Sequence, residues 1–118
     1  MASSSNKNIS YANAEAYTEL YFTPTQTVKK NIFLINNLKF SFAIHNVESN
    51  DITYTYQIIF SKNGKRIILK QNNVFVENNQ TKVLVESIPV TKDYSNGKIT
   101  VLILNNNQQI TLHLPNAS

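Results

Sequence analysis

The chain has 118 residues, 42% of them hydrophobic and only 15% charged, a balance too apolar for a disordered tail and suited to one domain burying roughly two-thirds of its unfolded surface. Its formal charge is +4 and its pI about 9.4, but Lys and Arg are scattered. Lys29-Lys30 and Lys62 to Arg66 are the only concentrations, both read as loop or turn decoration, and no basic stripe or motif marks a nucleic-acid partner. With 0 Cys, disulfides, thiol nucleophiles and thiolate metal sites are excluded, and no apolar run is long enough for a membrane-spanning helix or the core of a signal peptide.

Residues 1–16 are small and polar, a flexible lead-in or appended leader in which YANAEA is the only hint of a helical turn. They leave two expectations, a chain soluble from the start or a module taken from an anchored protein. From Tyr17 onward no stretch keeps an apolar stripe at the helical period, and short β-rich runs alternate with polar turns. TELYF, 18–22, places Leu20 and Phe22 on one face and ends at Pro24, which cannot donate to a ladder. VKKNIFLI follows as a loop or irregular edge strand. LKFSFAIH, 38–45, alternates Leu38, Phe40, Phe42 and Ile44 with Lys39, Ser41, Ala43 and His45, so it predicts a strand with one buried face. After the turn VESND, ITYTYQIIF sets Ile52, Tyr54, Tyr56, Ile58 and Phe60 against Thr53, Thr55, Gln57 and Ile59.

With only 2 Gly in the chain, asparagine must make many of the turns. Asn63-Gly64 is the strongest hairpin signal, because both residues tolerate the positive φ of a type I′ turn, and it predicts direct pairing of 52–60 with KRIILK, 65–70. NVFVE, 73–77, and TKVLVESI, 81–88, flank NNQ and predict another hairpin, closed by Pro89. Asn96-Gly97 opens KITVLIL, 98–104, continuously apolar in its second half and so expected in a central position. NNNQQ then turns the chain into ITLHL, 110–114, and Pro115 ends it.

Seven to eight short strands with hairpin turns and no helix predict an all-β fold: a two-sheet antiparallel immunoglobulin-like sandwich over 17–115, followed by a tail at 116–118, with a closed barrel as the alternative. The core expected from these phases is Leu20, Phe22, Phe40, Phe42, Ile44, Tyr54, Tyr56, Ile58, Val83, Val85, Val101, Ile103, Leu112 and Leu114. The hydroxyls of Tyr54 and Tyr56 then need partners near the sandwich rim or on the backbone.

Chemistry-bearing groups are sparse. His45 ends its strand beside Glu48 and Asp51, and His113 lies on the last strand; the two would have to converge to hold a metal, and nothing in their spacing demands it. There is no nucleophile elbow, no phosphate cradle and no shielded carboxylate pair, the acids being expected in turns or on exposed faces. The expectation is therefore no catalytic residue, no cofactor and no metal site. Lys, Asn and an acid on neighbouring strands of a cysteine-free sandwich could condense to an intramolecular isopeptide bond, and sequons occur at Asn8, Asn79 and Asn116. Both features are nonspecific in so asparagine-rich a chain.

YTELYF (17–22), FSFAIHNVESND (40–51) and ITYTYQI (52–58), with ITLHL at the end, make this sequence resemble the uncharacterised extracytoplasmic β-sandwich domains that follow transmembrane helices in some bacterial and archaeal membrane proteins. The resemblance covers roughly 17–114 and implies an immunoglobulin-like domain outside the membrane, akin to adhesion modules and without catalytic residues to carry over. It departs in lacking the membrane helices, in replacing turn glycines by Asn and in lacking a tryptophan on the last strand. The expected function is a non-enzymatic spacer, adhesion or protein-interaction module of a microbial cell-surface protein. Its partners would be another protein or a second copy through an edge strand, and it would meet the membrane only through an anchor elsewhere. Two alternatives are a surface-fibre subunit assembling by exchange of its N-terminal strand and a glycan-binding module using Tyr11, Tyr17, Tyr21 or Tyr94.

Overall fold

A computed structural model of the chain describes residues 15–24, 37–89 and 94–115. The lead-in before residue 15, the segment predicted as an irregular edge strand at 28–36 and the tail at 116–118 lie outside the described residues, as do Tyr11, Asn8 and Asn116. Within them the regular elements are seven strands: β1 (Tyr17–Thr23), β2 (Asn37–Val47), β3 (Ile52–Lys62), β4 (Lys65–Val76), β5 (Thr81–Pro89), β6 (Lys98–Ile103) and β7 (Gln108–His113). They form two antiparallel sheets, β1-β2-β5 and β4-β3-β6-β7, so the fold is the predicted sandwich. β6 is an inner strand of its sheet, as its apolar run implied. In constant-type immunoglobulin domains the fourth strand joins the sheet of the first, second and fifth; here it stays beside the third.

The turns explain that placement. Asn63 and Gly64 both have positive φ, 54° and 80°, and Lys62 pairs directly with Lys65, the hairpin the Asn-Gly pair predicted. Ser49, Asn79, Asn96 and Asn107 also take positive φ, so asparagine supplies most of these left-handed positions. β4 then runs as one strand of 12 residues, where two separate runs, 65–70 and 73–77, were predicted. It stays paired with β3 because a bulge absorbs one residue: Ile58 faces Lys70 while Ile59 faces Ile68, leaving Leu69 extra.

The predicted hairpin between 73–77 and 81–88 is not formed, since β4 and β5 belong to different sheets. The connection instead docks on the end of β2. The Asn79 N–H donates to the Asn46 carbonyl at 2.8 Å and the Asn46 N–H to the Gln80 carbonyl at 3.0 Å. The Asn46 side chain is fully buried, and its amide nitrogen donates to the carbonyls of Asn50 (2.7 Å) and Val76 (2.9 Å) while its oxygen accepts the Glu48 N–H at 2.9 Å. One asparagine thus ties the β2–β3 turn to the crossover between sheets, and the backbone pairs it satisfies would otherwise be buried unmade.

Between the sheets lie the predicted aromatics. Phe40, Phe42, Ile44, Tyr54, Tyr56, Ile58, Val101 and Ile103 are buried, with Leu20 and Leu114 at the edge and Phe22 and Leu112 partly buried against the cluster. Phe42 meets Tyr56 edge-to-face at 5.4 Å and Phe22 meets Phe40 at 6.3 Å. Val83 and Val85 are the exceptions: they are 56% and 69% exposed. The register Phe40↔Glu86 and Phe42↔Leu84 turns Leu84, Glu86 and Ile88 inward, so the predicted phase of β5 is reversed. Both phases of TKVLVESI carry apolar residues, and pairing with β2 decides between them. Tyr94, expected to be exposed, is buried and packs edge-to-face on Phe60 at 4.6 Å. Gly97 makes room for Phe60, because a Cβ there would lie 2.4 Å from its ring.

Candidate functional site

Three polar groupings could carry chemistry, and each is built from the core strands. The first centres on Glu86, a carboxylate 2% exposed on the inward phase of β5. Its Oε2 accepts the Tyr56 hydroxyl at 2.9 Å and its Oε1 accepts Lys70 Nζ at 2.6 Å. Lys70 reaches it because of the β4 bulge: with Leu69 extra, Lys70 faces the inward Ile58, whereas an unbroken ladder would turn Lys70 to the outer face. Burial, and then the adjacent Glu86 carboxylate, push the Tyr56 phenol well above its ordinary value. Tyr56 therefore remains a proton donor and cannot serve as a phenolate near neutrality. Both carboxylate oxygens are occupied, and the ion pair closes the β4/β5 edge of the sandwich.

The second grouping closes the opposite edge. Thr18 Oγ1 donates to Glu48 Oε2 at 2.7 Å and lies 2.8 Å from the Tyr54 hydroxyl. A threonine hydroxyl has one proton, so Tyr54 donates to Thr18, which donates to Glu48. Burial, the largest cause, and the nearby Glu48 charge raise the Tyr54 phenol above its ordinary value. Gln108 Nε2 on β7 adds a bond to the Thr18 carbonyl at 2.9 Å. Two tyrosines on one face of β3 thus reach across the interior in different directions, one to β1 and the other to β5. Their partners are side chains at two edges of the sandwich, in keeping with the rim expectation, rather than backbone groups.

The third is exposed. His45 Nδ1 lies 2.6 Å from Glu19 Oε1, a cross-strand pair on the outer face of the β1-β2-β5 sheet. His113 is on β7, in the other sheet, so the two histidines do not converge. Among the described residues no group of three or more His, Cys, Asp or Glu side chains is placed to hold a metal. Glu48 and Asp51 flank the β2–β3 turn as predicted, with Asp51 Oδ1 accepting the Asn78 N–H at 2.9 Å. Asn79, the sequon residue among those described, is exposed at the β4–β5 connection.

Sequence reasoning missed Glu86 and Lys70, having placed the acids in turns or on exposed faces. It also expected Tyr94 at the surface and Val83 and Val85 inside. The two valines join Tyr21, 43% exposed, on the outer face of the smaller sheet, in the adjacent rows Tyr21-Ala43-Val83 and Thr23-Ser41-Val85. Ala43 and Ser41 at the centre of this strip are buried, and the Thr23 and Ser41 hydroxyls are hydrogen-bonded to each other.

No protein-family profile matches the chain, and no curated protein matches it. Solved structures do match, and three β-glucosidases do so at low identity. A β-glucosidase from Listeria innocua in complex with glucose superposes with a TM-score of 0.60 at 8% identity, over 89% of this chain and 17% of its own. A β-glucosidase involved in saponin metabolism from intestinal bacteria gives 0.55 at 13%, over 86% and 16%. β-Glucosidase 3B from Thermotoga neapolitana gives 0.52 at 12%, over 85% and 16%. The chain spans about a sixth of the length of these enzymes, and the likeness is one of fold.

Proposed function

We propose that this chain is a non-enzymatic β-sandwich module of an extracytoplasmic microbial protein, acting as a spacer and protein-interaction domain within a larger assembly. The observation that carries the reading is the outer strip of the smaller sheet. Tyr21, Val83 and Val85 stand 43%, 56% and 69% exposed around the buried Ala43 and Ser41, and exposed apolar side chains gathered on one face with a polar border suit a protein contact. The border includes the Glu19–His45 pair, two rows from Val85. Two further points support it. The buried Thr18, Asn46 and Glu86 are engaged in joining the sheets, and in the matching β-glucosidases the superposed fold spans 15% to 17% of the chain, a share that suits an accessory domain. The location outside the membrane rests on the resemblance carried by residues 17–22 and 40–58.

Exchange of the N-terminal strand between copies is the less favoured reading, because β1 pairs with β2 over its whole length and buries Leu20. Size-exclusion chromatography with light scattering over a range of concentrations, together with an assay of p-nitrophenyl β-glucoside hydrolysis, tests the proposal. A monomer without turnover is the expected result. Concentration-dependent growth in mass would move the function into assembly, and turnover above the buffer blank would overturn the non-enzymatic reading.

A further inference from the structure

The opposite outer face, that of the β4-β3-β6-β7 sheet, has a separate character. At the β3–β4 hairpin end, a cavity of about 310 Å³ is lined by Lys62, Lys65, Arg66 and Lys98, with Asn63 and Asn96 beside them. Among the described residues no acid lines it. Apart from Glu86, which is buried against Tyr56 and Lys70, the described acids near β3 and β4 lie at the far end: Glu48 and Asp51 precede β3, and Glu77 follows β4. β3 has 11 residues, which separates the two ends by about 35 Å. Charge that is dispersed along the chain is therefore sorted by the hairpin into a basic end and an acidic end.

The rows leading away from the cations are rich in hydrogen-bonding groups. Arg66, Ser61, Lys98 and His113 form one row across all four strands. Ile68, Ile59, Thr100 and Thr111 form the next, with the two threonine hydroxyls 3.2 Å apart. Beyond the bulge, Gln57 Nε2 donates to Gln71 Oε1 at 2.8 Å and Thr55 Oγ1 to Asn73 Oδ1 at 2.9 Å. Each amide in these pairs keeps a donor or acceptor that the pair does not use, the equipment for a ligand dense in hydroxyls. Among the described residues the exposed aromatic of this face is Phe75, which faces Thr53 at the end remote from the cations, about 27 Å along the strand.

We propose that this face is a binding platform for an anionic polysaccharide, whose acid groups sit at Lys65, Arg66 and Lys98 while its hydroxyls meet Gln57, Gln71 and Asn73. The arrangement disfavours nucleic acid. Single strands are held by aromatics interleaved with the basic groove, and duplexes by basic contacts repeated along the backbone, whereas here one aromatic lies far from one basic cluster. This proposal is independent of the small-sheet strip, which is on the other side of the sandwich.

The test is titration of the full chain with polygalacturonate and dextran sulfate, which separate carboxylate from sulfate ligands, with neutral dextran and single-stranded DNA as comparators. Binding of either acidic glycan and not of neutral dextran is expected. Lys65→Gln/Arg66→Gln/Lys98→Gln should weaken it by at least about tenfold. Lys39→Gln/Lys82→Gln, which removes like charges elsewhere, should change it less than about twofold. Gln57→Ala/Gln71→Ala/Asn73→Ala should weaken glycan binding and leave DNA binding and the urea midpoint unchanged. No binding of either acidic glycan would overturn the proposal. So would equal affinity for DNA with no effect of the amide substitutions, since nonspecific attraction to polyanions would then suffice.

Discussion

Replacing Lys70 by Met is the sharpest test of how the two sheets are joined. Met preserves much of the side-chain volume and removes the ammonium that lies 2.6 Å from Glu86 Oε1. It leaves a carboxylate 2% exposed with Tyr56 as its remaining donor in the grouping. Breaking a fully buried ion pair costs about 3–5 kcal/mol. Lys70 is itself 39% exposed, so solvent already screens part of the attraction and water can approach the vacated position; about 2 kcal/mol is the appropriate expectation. For a domain of this size that corresponds to a fall in Tm of about 8 °C. Glu86→Gln, which removes the buried charge and keeps an acceptor for Tyr56, should cost about 1 kcal/mol. The double variant should be more stable than Lys70→Met alone, because no uncompensated charge remains inside. Urea unfolding followed by tyrosine fluorescence measures all three variants, the chain having 6 Tyr and 0 Trp. A cost below about 0.5 kcal/mol for Lys70→Met, within the range of ordinary surface substitutions, would refute the idea that the bulge delivers a structural ion pair. So would failure of Glu86→Gln to relieve it.

Other consequences are equally accessible. Tyr54 and Tyr56 are both raised above the ordinary phenol value of 10.0, so the folded state favours the protonated form. Their contribution is fully present below about pH 10 and is lost as pH rises through the folded values, by up to about 1.4 kcal/mol per pH unit for each phenol; Tyr56→Phe should flatten the alkaline side of a plot of urea midpoint against pH. Gly97→Ala drives a methyl to 2.4 Å from Phe60 Cε1 and 3.0 Å from the Ser61 carbonyl and should cost about 2–3 kcal/mol. Gly64→Ala meets no atom within 4 Å and suffers only from its φ of +80°, costing about 1 kcal/mol; an inverted order in chemical denaturation would contradict the packing described at Phe60. On β5, Val85→Thr should alter stability by less than about 0.5 kcal/mol while Leu84→Ala, on the inward phase, should cost about 2 kcal/mol or more, and the reverse ranking would restore the phase expected from sequence.

Legibility in the sequence followed how local each determinant was. Residues 38–45 and 52–60 could be read correctly because each run has one polar and one apolar face, and the Asn63-Gly64 turn specifies its own backbone. In 81–88 both faces hold apolar residues, so the choice was made by register with β2, a strand separated from it by β3 and β4. Lys70 resisted prediction for a related reason. Its inward direction comes from one extra residue in β4, and Leu69 resembles its neighbours too closely to announce a bulge. Glu86 then depended on both hidden features at once. Tyr94 stands in TKDYSNGK, a stretch whose polarity implies an exposed loop, and only the absence of a side chain at Gly97 beside Phe60 indicates the aromatic packing there.

The inward use of Tyr56, Glu86 and Lys70 also bears on where function can reside. A tyrosine beside an acid and a lysine would be a natural proton-transfer grouping if a substrate could reach it. Here each oxygen of Glu86 is already bonded, and the phenol is held protonated by burial and by that carboxylate. Opening the site for chemistry would first break the contact that joins β4 to β5. The same bulge that turns Lys70 inward re-phases the rest of β4, so that Gln71, Asn73 and Phe75 face outward beside Gln57, Thr55 and Thr53. Bulging out Leu69 therefore sets the interior ion pair and the exposed polar face in one register. Deleting Leu69 would leave Ile68 and Lys70 opposite Ile59 and Ile58 in an unbroken ladder, so Lys70 should stay inward, Gln71 outward, and both the ion pair and the amide rows should survive. A substitution confined to Gln71 or Asn73 alters the exposed rows without touching the ion pair, which makes that face testable in a protein whose core is intact.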